Sequence, residues 1–301
     1  MRLSRLLLLP VATLAVVACS DDDSVTINSR PPLGGVRFIN AVPDMKPVTI
    51  RMVDQLLWSA NSVNGGSYGL RFRAATVHQA TEAKARHIRV FPADSNIAEA
   101  SRILLDTTIT IEANKNVTLL LVPGQRTGAT DSVAFVTIND DVTPAEGEVA
   151  LRLVNASAPG LTPASVDGWL TADAETAPTG APTWDNLASL TAGAYVTRAP
   201  EAVAVQTAAD GAPATLWGAD APEGEPEADG IGALAGATVG GSALSAYVFP
   251  KACPTVTGAI TVANCPAAAG SSGSIRTAYA NPGVVFFVDK IPAPPTGTGG
   301  N

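Results

Sequence analysis

Three cysteines and two histidines are the scarcest reactive side chains in this chain of 301 residues, and their positions bound the chemistry open to it. Cys19 closes an uncharged run, Leu6 to Ala18, that follows Arg2 and Arg5. A basic start, an apolar stretch and small residues before a cleavage point are the parts of a secretory signal. The run is too short for a membrane-spanning helix, which needs about 20 residues. Val16-Val17-Ala18-Cys19 resembles a bacterial lipobox, in which the thiol is acylated and becomes the first residue of the mature chain. On that reading residues 1–18 are a lipoprotein signal peptide, and lipid on Cys19 anchors the chain to a membrane without spanning it. The alternative is an ordinary signal with a chance cysteine. Ser20 after the cysteine, in place of an aspartate, points to outer-membrane sorting.

Cys253 and Cys265 flank PTVTGAITVAN. In an exported protein two thiols across a short loop are expected to form a disulfide. Closing such a loop stabilises by roughly 3 kcal/mol at best. A metal site would need further ligands, and no His or other Cys lies nearby in sequence. His78 and His87 occur in one half of the chain only and read as surface or packing residues, so no catalytic residue is assigned. The acids Asp220, Glu223, Glu225, Glu227 and Asp229 sit in GADAPEGEPEADG. Their spacing matches no calcium loop, and Pro222 and Pro226 stiffen the stretch, so a solvated acidic loop is the first reading and calcium the second. Trp58, Trp169, Trp184 and Trp217 read as core plugs, with a sugar-stacking face as the alternative. Gly65-Gly66 and Gly240-Gly241 lack the lysine and helix of a phosphate loop and read as turns. No metal or cofactor is expected.

Removing residues 1–18 would leave 17 basic and 27 acidic side chains, a formal charge of −10. That sign disfavours nucleic acid and polybasic contact with anionic lipid, leaving the lipid on Cys19 as the membrane partner.

The elements that must position these residues are strands. Charged residues make up 15% of the chain, against 27 Gly and 23 Pro, a composition that favours short strands and turns over helices. Residues 19–34 read as a flexible tether and residues 293–301 as a disordered tail. Between them, period-two runs recur in one order. Arg37–Asn40, Val48–Val53, His87–Phe91, Thr108–Ile111, Val117–Val122 and Val133–Ile138 form a first set. The pair flanking Glu112–Asn116 reads as a hairpin. A second set runs through Leu151–Ala156, Pro163–Asp167, Ala202–Gln206, Ala243–Pro250 and Val284–Asp289, so that VRFINA at 36–41 is echoed by LRLVNA at 151–156. A repeat of this length is a duplicated domain, because solenoid periods are about 20–50 residues. The expected fold is all-β, with two tandem immunoglobulin-like antiparallel β-sandwich domains over 35–141 and 148–292. The boundary falls in the acidic, turn-rich Asp140–Gly147. The uncharged stretch Ile231–Phe249 is long enough to span a membrane, but its glycines favour a turn at Gly240-Gly241-Ser242 and then a strand.

VRFINAVPD followed by PVTI, the later LRLVNAS and the closing VVFFVDKIP resemble the bacterial family called domain of unknown function 4397. The resemblance runs from about Val36 to Pro292. It implies tandem β-sandwiches at the cell envelope and supplies no catalytic residues. The expected function is a non-enzymatic envelope lipoprotein displaying loops that bind a surface glycan or protein. A structural spacer without a ligand is the second reading. The third is a hydrolase built on carboxylates brought together by folding, which requires a concave pocket with two acids about 5–10 Å apart.

Overall fold

The computed structural model describes residues 31–43, 45–54, 69–124, 133–228, 232–252, 279 and 281–292. From Pro32 onward the chain forms one compact unit. Its first half carries β1 (Leu33–Asn40), β2 (Val48–Met52), β3 (Gln79–Glu82), β4 (Ala85–Pro92), β5 (Leu105–Thr110), β6 (Asn116–Pro123) and β7 (Val133–Asn139). A one-turn helix, α1 (Ile97–Ala100), lies between β4 and β5, capped by the Asn96 side chain, which accepts from the Ala98 amide. The second half carries β8 (Val149–Asn155), β9 (Ser165–Thr171), β10 (Trp184–Ala188), β11 (Val196–Arg198), β12 (Ala204–Ala209), β13 (Ala212–Asp220), β14 (Ala243–Phe249) and β15 (Gly283–Lys290).

Each half builds two sheets. An inner sheet runs β3-β1-β6-β7 in the first half and β11-β8-β14-β15 in the second. The outer sheets run β2-β4-β5 and β10-β9-β12-β13. Both inner sheets hold a parallel pair at their centre, β1 with β6 and β8 with β14, and every other named pairing is antiparallel. The expected purely antiparallel sandwich is therefore corrected to mixed inner sheets. The expected hairpin at Glu112–Asn116 is corrected as well. β5 pairs with β4 and β6 with β1, so this connection crosses from the outer to the inner sheet. A hairpin would place the two strands side by side, whereas the parallel partner of β6 is already β1.

Alternation along the strands explains the layering. Val36 and Phe38 of β1 join Val48, Ile50, Ile88, Val90, Leu119 and Leu121 in a core between the sheets of the first half. The second half has the equivalent core around Leu153, Val166, Trp184, Val205, Ala246 and Val248. The intervening residues of the inner sheets, Ile39, Leu120, Val154, Tyr247 and Phe249, form a further core in which the two inner sheets pack on each other. This is why β8 and β14 are buried on both faces. Four layers result, outer–inner–inner–outer. The apolar stretch at Ile231–Phe249 ends as β14, after a turn in which Gly241 takes φ +84°. No helix among the described residues is long and apolar enough to cross a membrane. β1 begins at Leu33, so the last two residues of the segment read as tether are already strand.

Candidate functional site

The most polar part of the interior lies where the inner sheets face each other. Arg37 on β1 and Arg152 on β8 hold the same place in VRFINA and LRLVNA, and both are almost wholly buried. Alternation turns both toward the opposite inner sheet, on the same face as Ile39 and Val154. Arg37 Nε donates to Thr118 Oγ1 (2.8 Å), and Arg152 Nε donates to Ser245 Oγ (2.7 Å). Thr118 and Ser245 are the register partners of the two arginines across the parallel pairs.

Most of the remaining donors cross between the halves, while Arg37 Nη2 also reaches Asp140 Oδ2 of its own half (3.2 Å). Arg37 donates to Asp289 Oδ1 (2.6 Å) and to the Val288 carbonyl (2.9 Å), both on β15. Arg152 donates to Asp140 and to the Asn139 carbonyl (2.6 Å), at the end of β7. Each half thus lends its arginine to the acid of the other, the self-complementary arrangement that a two-fold dimer makes at its axis. The hydroxyls of Thr118 and Ser245 donate back to Asp140 and Asp289 within their own halves. His78 Nε2 donates to Asp140 (2.9 Å), and Tyr195 Oη, immediately ahead of β11 as His78 is ahead of β3, donates to Asp289 (2.8 Å).

Two cations and two anions share this enclosed space, so the set is formally neutral. Burial raises the cost of ionising Asp140, but hydrogen bonding from His78, the charges of Arg37 and Arg152 and the Thr118 hydroxyl outweigh it and hold the carboxyl below its ordinary range. Burial also opposes the charge on Arg152 and Arg37, and the surrounding acidic groups overcome it in both. Burial first, then Asp289, raises the Tyr195 phenol. Tyr247, enclosed by the same layer with no partner for its hydroxyl among the described residues, is pushed up to about 12 mainly by burial.

Beside this network a cleft of about 600 Å³ opens between the segment entering β3 and the strand β15, lined by Val77, His78, Asn116, Phe286, Asp289 and Ile291. The Asp289 carboxylate behind it is occupied by Arg37, Ser245 and Tyr195.

The remaining sequence expectations fall as follows. Cys19, Cys253, Cys265, Trp58, Asp229 and Gly65-Gly66 lie outside the described residues. The flanks of the Cys253–Cys265 region are joined, since Ala252 and Tyr279 exchange backbone hydrogen bonds. Arg73 of the first half holds them by donating to the carbonyls of Pro250 and Asn281 (2.8 Å each), with its guanidinium 4.1 Å from the Tyr279 ring centre. His87 is partly exposed and pairs with Asp106, which Arg89 also holds. Trp169 and Trp184 are buried with their indole N–H groups on the carbonyls of Gly180 and Ala194, as core residues should be. Asp220 accepts from the Ala174 amide, and among the described residues no group of three His, Cys, Asp or Glu could hold a metal. Asp140, expected in the acidic, turn-rich boundary, instead continues the alternation of β7 inward and is buried. The echo of Arg37 in Arg152 was the available signal, because an arginine repeated inside an apolar hexapeptide implies a repeated buried partner.

A family model described as Domain of unknown function (DUF4397) matches residues 34–162. The matched segment is similar to that family. The match covers the first half from residue 34 and extends through β8, whereas the resemblance implied one reaching to Pro292. No curated protein matches the chain. Among solved structures, a "putative cell adhesion protein" from Bacteroides ovatus is matched at 10% identity over 73% of this chain and 93% of that one, with a TM-score of 0.16.

Proposed function

We propose that the protein is a non-catalytic lipoprotein of the cell envelope, anchored through Cys19, whose two immunoglobulin-like DUF4397-type halves act as one rigid unit displaying loops to a surface glycan or protein. The observation that carries this reading is the reciprocal exchange of Arg37 and Arg152 between Asp289 and Asp140. A buried ion-pair set of this kind costs desolvation and fixes one relative placement of its elements, which suits a scaffold that must hold loops at a set distance. It also speaks against the hydrolase reading. An acid catalyst needs a carboxyl held protonated near neutral pH, and Asp140 is displaced the opposite way.

Two measurements test the proposal. Mass spectrometry of the mature N-terminus should find acyl chains on Cys19, and an intact leader would remove the anchor. Native purification followed by arrays of envelope glycans and co-purified proteins should give at least one saturable binder. A chain that binds none of them, while its loss alters envelope mechanics, belongs to the second reading, a spacer without a ligand.

A further inference from the structure

The outward face of the first outer sheet differs in character from the rest of this acidic protein. Val48, Ile50, Ile88 and Val90 turn into the core, so Thr49 and Arg51 of β2, His87, Arg89 and Phe91 of β4, and Asp106 and Thr108 of β5 turn outward. Arg51 and Arg89 are directly opposite in the antiparallel register, a like-charge pair that destabilises a sheet unless something neutralises it. One carboxylate, Asp106, serves this face, and it is already shared by Arg89 (2.9 Å) and His87. Arg51 has no acid among the described residues. Its guanidinium lies 5.2 Å from the Phe91 ring centre, and among the described residues its N–H groups have no other partner. The matching face of the second half is closed. There Trp169 donates to the Gly180 carbonyl and Gln206 to the Thr176 carbonyl, both in the stretch that follows β9.

We propose that this face binds an acidic polysaccharide, with a sugar carboxylate bridging Arg51 and Arg89. The inference rests on the display reading and names its ligand class. Charge complementarity supplies the anion, since two adjacent guanidiniums with free N–H groups form a fork for one carboxylate. The choice of a glycan follows from charge density. A strip with a single unneutralised guanidinium, set in a chain of net charge −8, attracts a polymer whose charges are sparse among hydroxyls. A nucleic acid or an anionic membrane, densely charged over its whole surface, is repelled by the remainder of the protein. Thr49 and Thr108 offer hydroxyls beside the fork for the neutral part of such a chain.

The test is titration of the full, natively purified chain with polygalacturonate and with its methyl ester. The acid form should bind and weaken with added salt. The ester, and the variant R51Q/R89Q with the acid form, should each bind about tenfold or more weakly, as loss of charge-assisted hydrogen bonds implies. Both substitutions are on an exposed face, so an unchanged melting temperature verifies folding. Equal binding of acid and ester, undiminished binding by R51Q/R89Q, or tighter binding of an oligonucleotide or phosphatidylglycerol vesicle would overturn the proposal. Saturable binding of a neutral glycan or a protein that ignores R51Q/R89Q would sink this site and leave the display reading standing. Failure to bind anything would sink both.

Discussion

Arg37 and Arg152 stand at the same position of two echoed hexapeptides, and each pairs with the aspartate of the opposite half, Arg37 reaching Asp140 of its own half as well. The contact between the halves has the reciprocity of a two-fold interface within one chain. The two halves are therefore expected to unfold together.

Removing one arm of the exchange should be costly. Arg37→Met leaves Asp289 buried without its cation and should lower stability by about 3–5 kcal/mol. Adding Asp289→Asn to Arg37→Met should restore part of the loss, because the stranded charge is gone. Urea unfolding of the four proteins in this cycle measures the coupling, and strictly additive losses would deny the pair.

Acid should weaken the protein through Asp140. Its carboxyl is held below the ordinary range, so the stability it confers is complete above the unfolded-state value of about 3.9 and is lost as pH falls through the lower folded value. Melting temperature followed downward from neutral pH should decline over that window. Asp140→Asn should start lower and show a shallower decline.

Many of the strands are legible in the sequence, for local reasons, whereas the packing of the inner sheets on each other is not. VRFINA and LRLVNA announced their strands because alternating apolar residues leave few other structures. β3 and β13 were not visible, since QATE and APATLWGAD carry no clear period and are strands by virtue of the edges they join. The parallel pairs were hidden for a related reason, as strand patterns fix which face is buried but not which neighbour is bonded. Asp140 was misplaced because its local context, Asn139-Asp140-Asp141, is that of a loop, and only the distant Arg152 and Arg37 make it interior.

The asparagines that close the two hexapeptides should be individually important. Asn40 accepts from the Val42 amide (2.9 Å) and donates to the Leu70 carbonyl (3.0 Å), and Asn155 repeats the first contact with Ser157 (3.1 Å). Asn40→Ala leaves the Val42 amide without its partner, while the Leu70 carbonyl keeps the Val48 amide, and should cost about 1–3 kcal/mol. Asn40→Asp keeps the acceptor but loses the donor and buries a charge, so it should not rescue. Denaturant midpoints distinguish the two.

Close packing around Trp184 should make one glycine irreplaceable. A methyl group on Gly193 would sit 2.4 Å from Trp184 Cδ1, in a side chain whose Nε1 is fixed by the Ala194 carbonyl. Gly193→Ala should cost about 1–3 kcal/mol through overpacking and shift the near-ultraviolet signal of Trp184. Gly211→Ala meets nothing within 4 Å and is a control for steric effects, although its φ of +69° carries some backbone strain.

The most direct test asks whether damage to one half is felt by the other. Trp169, Trp184 and Trp217 all lie in the second half, so with Trp58→Phe the fluorescence reports that half alone. Ile50→Ala opens a cavity in the core of the first half and should lower its stability by about 2–5 kcal/mol. If the halves are locked together, the fluorescence midpoint in urea falls with the circular-dichroism midpoint, in one transition. A fluorescence midpoint unmoved by Ile50→Ala, with a separate earlier transition for the first half, would contradict the account.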